Sequence, residues 1–189
     1  MKSTTIAILS AATLMTAACG QKNTTVDASN NVAAMETGND VTAEAPAATG
    51  GQAFANAAAA SDAFEIATSK LALTTSKSKA IKAFAQKMID AHTDSTAKLK
   101  TAAASASPAI TPDPTLNAEQ QATLDSLKSA TGAAFDQAYV TGQTSGHQKT
   151  LDTLRAYGST GDVPSLKSFA TTLTPIVAAH LNMAKALKP

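Results

Sequence analysis

Three histidines are the residues of this chain whose type and spacing most favour chemistry. His92, His147 and His180 are its only histidines, and each lies on a different helical segment. Each continues an apolar stripe with a spacing of three or four residues, near the middle of its segment. In an antiparallel bundle such positions meet at one level, where Glu65 approaches from a fourth segment. Three imidazoles and a carboxylate could bind one Fe, Mn, Zn or Cu ion.

The histidines also have a purely structural interpretation. Buried or half-buried imidazoles can fix the register of helices through hydrogen bonds, and Asp136, Tyr139 and Asp90 are the candidate side chains for orienting them. We take this interpretation as the default, with no cofactor, and the binding of one transition-metal ion as the alternative. A metal site requires the ring nitrogens to lie within roughly 4 Å of one another, whereas rings more than about 8 Å apart would exclude it.

Several reaction classes have no motif in this sequence. A ferritin-like di-metal centre needs Glu-x-x-His, which is absent, and Asp90 and His92 are two residues apart, so they point to different sides of a helix. Neither HExxH nor a glycine-rich nucleotide motif occurs, and no nucleophile accompanies the histidines. The net charge of +1 without a basic patch gives no support to nucleic-acid binding. We therefore assign no catalytic residue; whether the protein is an enzyme stays open, with a non-enzymatic role favoured.

The hydrophobic pattern is helical from residue 51 to Pro189, which is the length of one domain. It predicts helices over residues 52–75, 79–104, 132–157 and 166–187, with a short helix from Asn117 to about Ser129 between the second and third long ones. These elements predict an all-α protein, an alanine-rich bundle of four helices with a short extra connecting helix.

Local signals mark the helix boundaries. Ser78 is an N-cap candidate for the second helix, and Asn117 with Gln120 resembles a capping box. Residues 107–116 contain three prolines and cannot be helical. Residues 158–162 should end one long helix, with Asp162 as the N-cap of the last.

The N-terminus predicts export from the cytoplasm. Lys2 is followed by an apolar run over residues 6–15 and by small residues up to Cys19, the only cysteine. This is the organisation of a secretory signal, and the run is too short for a membrane-spanning helix. The small residues before Cys19 resemble the lipobox of bacterial lipoproteins, in which this thiol is acylated; the alternative is an ordinary signal peptide cleaved near Ala18.

Residues 20–50 predict a disordered tether between the anchor and the bundle. They contain no aromatic residue and no apolar periodicity, so they cannot offset the cost of ordering the chain. We therefore divide the chain into a signal segment over residues 1–19, a linker over 20–50 and a bundle domain over 51–189. The predicted location is the bacterial cell envelope: the outer membrane facing the periplasm through a lipid on Cys19, or the periplasm itself.

Three separate stretches of the bundle resemble one bacterial envelope family. They are FAQKMIDAH from Phe84, GAAFDQAYVTGQTSGHQ from Gly132 and LKSFATTLTPIVAAHLNMA from Leu166. Together they are similar to domain of unknown function 4142, often described as a putative outer membrane protein. This resemblance implies the ferritin-like up-down four-helix architecture and an envelope location, and it brings no reaction with it. The sequence thus favours an envelope lipoprotein whose bundle is a structural or interaction module, with metal binding by His92, His147, His180 and Glu65 as the alternative.

Overall fold

The computed structural model describes residues 50–189, and this part of the chain is helical without any strand. The helices run in the order α1 (Gly50–Thr75), α2 (Lys79–Ala104), α3 (Ala118–Ser129), α4 (Gly132–Thr160) and α5 (Pro164–Ala186). The all-α fold is confirmed: four long helices form the bundle, and α3 is the short connecting helix. None of the helices in this range is both long and apolar enough to span a bilayer.

The predicted caps of α2 and α3 are confirmed. The Ser78 side chain accepts a hydrogen bond from the backbone N–H of Ile81. Asn117 accepts from the N–H of Gln120, whose side chain accepts in return from the N–H of Asn117, so the capping box is complete. The proline-rich segment between α2 and α3 is non-helical, as predicted.

The predicted cap of α5 is wrong. The N-cap residue is Val163, which makes no side-chain capping bond, and Pro164 occupies the first turn. A proline there has a φ preset for the helix, and the N–H that it lacks would have no partner within the helix in any case, so Pro164 favours a start at this position. Asp162 instead accepts a hydrogen bond from the Tyr157 hydroxyl at 2.8 Å. This bond ties the carboxylate back to the last turns of α4.

Two apolar clusters show how the helices run. The first contains the start of α1, the end of α2, the later part of α4 and the start of α5; the second contains the opposite ends. Helices α2 and α4 therefore run in the same direction, and both are antiparallel to α1 and α5, against which they pack. Residues 105–131, including α3, cross from one end of the bundle to the other. This single long crossover is the ferritin-like connection.

A buried polar layer separates the two apolar clusters. On one side lie Phe54, Leu99, Leu154 and Phe169, and on the other side lie Phe84, Met88, Phe135 and Tyr139. Between them all four long helices contribute buried polar side chains, which we call the polar layer: Asp62, Glu65, His92, Gln143, His147 and His180. Apolar residues would fill this level at less desolvation cost, so the layer requires a separate explanation.

The predicted signal segment and most of the predicted linker lie outside the described residues. Helix α1 begins at Gly50, close to the predicted start of the bundle domain at residue 51. The boundaries at residues 19 and 50 and the lipidation of Cys19 therefore stay predictions.

Candidate metal centre

The three histidines meet in the polar layer. His92 comes from α2, His147 from α4 and His180 from α5, and at most 7 % of any of them is exposed. Their ring centroids are 5.6–5.8 Å apart in all three pairs. One ring nitrogen can be taken from each histidine such that all three nitrogens lie within 4.8 Å of one another. Inner-stripe positions at the middle of three helices thus converge on one point in the core.

Hydrogen bonds on the far side of two rings fix which nitrogen faces the centre. Nδ1 of His92 lies 2.7 Å from a carboxylate oxygen of Asp62, and Nδ1 of His147 donates to the Gln143 carbonyl at 2.8 Å. Both oxygens are acceptors, so each Nδ1 carries hydrogen and each neutral ring keeps its lone pair on Nε2. Nε2 of His92, Nε2 of His147 and Nδ1 of His180 are buried, with no hydrogen-bond partner in residues 50–189.

The spacing is close to that of a metal site but somewhat wider. Nitrogens bound to a tetrahedral ion at about 2.0–2.1 Å lie about 3.4 Å apart. The upper spacing of 4.8 Å between ring nitrogens exceeds the roughly 4 Å that we required of a metal site, and the ring separation of 5.6–5.8 Å is below the roughly 8 Å that would exclude one. Binding therefore requires the ring nitrogens to approach one another by up to about 1.4 Å.

Asp62 is the partner of the cluster that the sequence interpretation missed. It is 4 % exposed and lies on α1. Besides contacting His92, its second oxygen accepts a hydrogen bond from the Thr96 hydroxyl at 3.1 Å. A carboxylate behind an imidazole is the usual outer partner of a metal-binding histidine, since it orients the ring and increases its basicity. The sequence did contain a feature that could have indicated this partner: Asp62 lies one helical turn from Glu65, the acidic residue that was already a candidate.

Glu65 lies beside the histidines but outside the mutually close group of ligand atoms. One of its oxygens is 3.6 Å from Nδ1 of His147, and the other is buried with no hydrogen-bond partner in the described range. Burial raises the pKa of Glu65 to about 7, while the positive charge of His92 and the Gln143 amide act in the opposite direction. Near neutral pH this carboxyl can therefore keep its proton and donate a hydrogen bond, or lose it and accept one.

The three imidazoles have different proton affinities. Burial lowers the pKa of His147 to about 3, and the charge of His92 contributes to the same effect. Burial and the charge of His92 also lower the pKa of His180 to about 4. Burial disfavours a charge on His92 too, but the hydrogen bond to Asp62 and the charge of Glu65 outweigh it and raise the pKa of His92. The metal-free cluster thus has one basic and two neutral rings.

The three predicted orienting residues do not contact the histidines through hydrogen bonds within residues 50–189. Asp90 is exposed and accepts from Gln86 at 2.9 Å. The hydroxyl of Tyr139 is 2.9 Å from that of Ser69, one layer away. Asp136 is half-buried, and one of its oxygens has no hydrogen-bond partner in this range. Asp62 and the Gln143 carbonyl are the groups that orient the rings.

Comparisons with known proteins identify a family and nothing closer. No curated protein and no solved structure matches this chain. A family model described as "Domain of unknown function (DUF4142)" matches residues 36–187. This range includes all five helices and every residue of the polar layer. Because this match covers most of the chain, the protein belongs to the DUF4142 family.

Proposed function

We propose that the bundle binds one transition-metal ion through His92, His147 and His180. Two observations carry this proposal: one ring nitrogen of each histidine lies within 4.8 Å of one ring nitrogen of each of the others, and each histidine has a buried ring nitrogen with no hydrogen-bond partner in the described residues. Three nitrogen donors from three helices form one face of a coordination polyhedron, as in sites that bind zinc through three histidines.

The energetics of the polar layer support metal binding. A buried polar atom without a partner costs about 1–3 kcal/mol. One ion would satisfy all three ring nitrogens at once, displacing the second proton of His92 where that ring is charged, whereas the structural interpretation leaves these nitrogens without a hydrogen-bond partner in residues 50–189. The far sides of His92 and His147 are already bound to acceptors, so both rings are held in the tautomer that presents Nε2.

The donor set limits which ions fit. Imidazole suits zinc, copper, nickel and iron, and the Irving–Williams order places Cu²⁺ highest for a given nitrogen site. The nearby carboxylate of Asp62, and that of Glu65 once it has lost its proton, would compensate the charge of a divalent cation. We therefore assign the site to a divalent first-row ion of the later series, with zinc and copper as the first candidates.

Thermal unfolding of tag-free protein tests this proposal. A site that binds only the folded state stabilises it by about 2.7 kcal/mol at a free metal concentration 100 times Kd, which raises Tm by roughly 10 °C for a domain of this size. EDTA should reverse the shift. His180→Gln should abolish it because it removes one donor, and Tyr139→Phe, a change in a neighbouring buried layer, should leave it intact.

The rival account makes a different prediction for the same experiment. A hydrogen-bonded cluster that only fixes helix register would respond to neither metal nor chelator. An unchanged Tm with Zn²⁺, Cu²⁺, Co²⁺ and Ni²⁺ would therefore reject metal binding and leave the structural or interaction module as the function.

We further propose that the domain acts in the bacterial cell envelope, held by a lipid on Cys19. The support lies in the sequence: a short apolar run and small residues precede this cysteine, and a polar segment follows it. In a Gram-negative host the protein should fractionate with membranes, and Cys19→Ala should release it or block its processing. Recovery of unmodified wild-type protein entirely in the soluble periplasm would reject the anchor.

A further inference from the structure

We infer that the ion keeps one exchangeable coordination position, which opens into a small cavity beside His92 and His180. This inference rests on the proposed metal site. The ligand class is a donor of one to three non-hydrogen atoms: water or hydroxide, or a triatomic anion such as azide.

The number of protein donors is the first observation. Closed structural zinc sites use four protein ligands, whereas open sites use three and leave the fourth position to water or substrate. Within residues 50–189 the group of mutually close ligand atoms contains the three histidines and no carboxylate. Asp62 is held by His92 and Thr96. Of the two carboxylates of the polar layer, Glu65 is the one that could take the fourth position by moving.

A cavity of about 30 Å³ is the second observation. It borders the rings of His92 and His180, with Asp62 and Ser95 as polar lining and Leu173 among the apolar residues. A water molecule needs roughly 10–15 Å³ of such space. The cavity therefore has room for two or three small atoms beside His92 and His180, two of the three proposed ligands, and the hydroxyl and carboxylate in its wall can hydrogen-bond to them.

Access to the cavity is the third observation. Ile176 lines it, and this side chain, 38 % exposed, is the exposed large hydrophobic residue of the described range. Because this α5 side chain both lines the cavity and reaches solvent, it lies between the two. A ligand would then exchange past Ile176 without unfolding of the bundle.

A second opening provides a contrast. A groove of about 200 Å³ between α1, α3 and α4 is lined by Glu65 and Gly146 but by none of the three histidines. A molecule in this groove touches no proposed ligand ring. The groove is therefore a suitable place for a control substitution that adds the same volume away from the ion.

Azide binding to the Co²⁺-loaded full-length protein tests the inference. Visible absorbance of Co²⁺ responds to its ligands, so azide should change the wild-type spectrum with saturation. Ala91→Leu adds three carbons at the cavity, and Ala57→Leu adds the same atoms in the groove. We expect Ala91→Leu to bind one Co²⁺ but to weaken azide binding about tenfold or more, because the side chain fills the space. Ala57→Leu should match the wild type.

Three outcomes would overturn the inference, and each is distinct from failure of the metal site. Co²⁺-loaded wild type that ignores azide has no exchangeable position. An azide response that appears only in Glu65→Gln shows that Glu65 is the fourth ligand. Equal azide affinity in Ala91→Leu and wild type places the ligand outside the cavity. Failure of the metal site itself appears earlier, as absence of stoichiometric Co²⁺ before azide is added.

Discussion

Acidification of the metal-free bundle should destabilise it between pH 6 and pH 5. His147 and His180 have folded-state pKa values of about 3 and 4, below the usual 6.5. The unfolded chain therefore binds more protons than the folded one below pH 6.5. The stability that these neutral rings contribute is fully present above that pH and is lost as the pH falls.

Glu65 acts in the opposite direction in the same window. Its folded-state pKa of about 7 lies above the usual 4.5, so the folded protein holds an extra proton between these values. That contribution to stability is present at low pH and is lost as the pH rises through 7. His92, whose pKa is raised, is charged in both states below pH 6 and contributes almost nothing to the slope.

The net slope follows from these proton counts. Between pH 6 and pH 5 the unfolded chain binds almost two more protons than the folded protein at His147 and His180. At Glu65 the folded protein binds about one more proton than the unfolded chain. One proton corresponds to about 1.4 kcal/mol per pH unit, and solvent screening of His180 beside its cavity reduces its share. We expect a loss of about 0.5–1 kcal/mol per pH unit, or roughly 2–4 °C in Tm.

Urea denaturation followed by far-ultraviolet circular dichroism, in EDTA at pH 6 and pH 5, measures this slope. Glu65→Gln is the informative variant, because it removes the opposing proton and should increase the loss to about 2 kcal/mol per pH unit. A wild-type stability that is flat or increases on acidification, together with an unchanged slope in Glu65→Gln, would refute the assignment of neutral buried histidines opposed by Glu65.

Three further predictions follow from individual contacts. Asp62→Asn should weaken metal binding by about 10–100-fold, measured by competition with a chromophoric chelator, because it removes the charge behind His92. Tyr139→Phe should cost about 1–2 kcal/mol in urea denaturation, since the buried Ser69 hydroxyl loses its partner, and should leave metal affinity unchanged. Removal of residues 20–49 should change Tm by less than about 5 °C; a larger decrease would mean that the segment packs on the bundle.

The elements of the fold were predictable because their signals are local. Helix α2 has the predicted bounds, since Ser78 caps its start and an apolar stripe runs to its end. The capping box of Asn117 and Gln120 defines the start of α3 in the same way. Asp162 failed as a cap because Tyr157, five residues earlier on α4, binds its carboxylate. The competing contact depends on how α4 ends, which the capping pattern does not encode.

The histidines were predictable as a group, but their partners were not. Inner-stripe positions at mid-helix are enough to bring His92, His147 and His180 to one level. The partner of His92 depends on the axial register of α1 against α2, and that register places Asp62, not the neighbouring Asp90, behind the ring. In an alanine-rich α1, side-chain size gives little indication of which face is buried, so the register could not be read from the sequence.

Metal stoichiometry of the tag-free protein tests the central claim most directly. The protein would be dialysed to equilibrium against Zn²⁺ or Cu²⁺, passed through a desalting column and analysed for metal by mass spectrometry. We predict one ion per chain for the wild type and for Tyr139→Phe. For His180→Gln we predict a metal content at least about tenfold lower. A wild type that retains no more metal than His180→Gln would contradict the proposed metal centre.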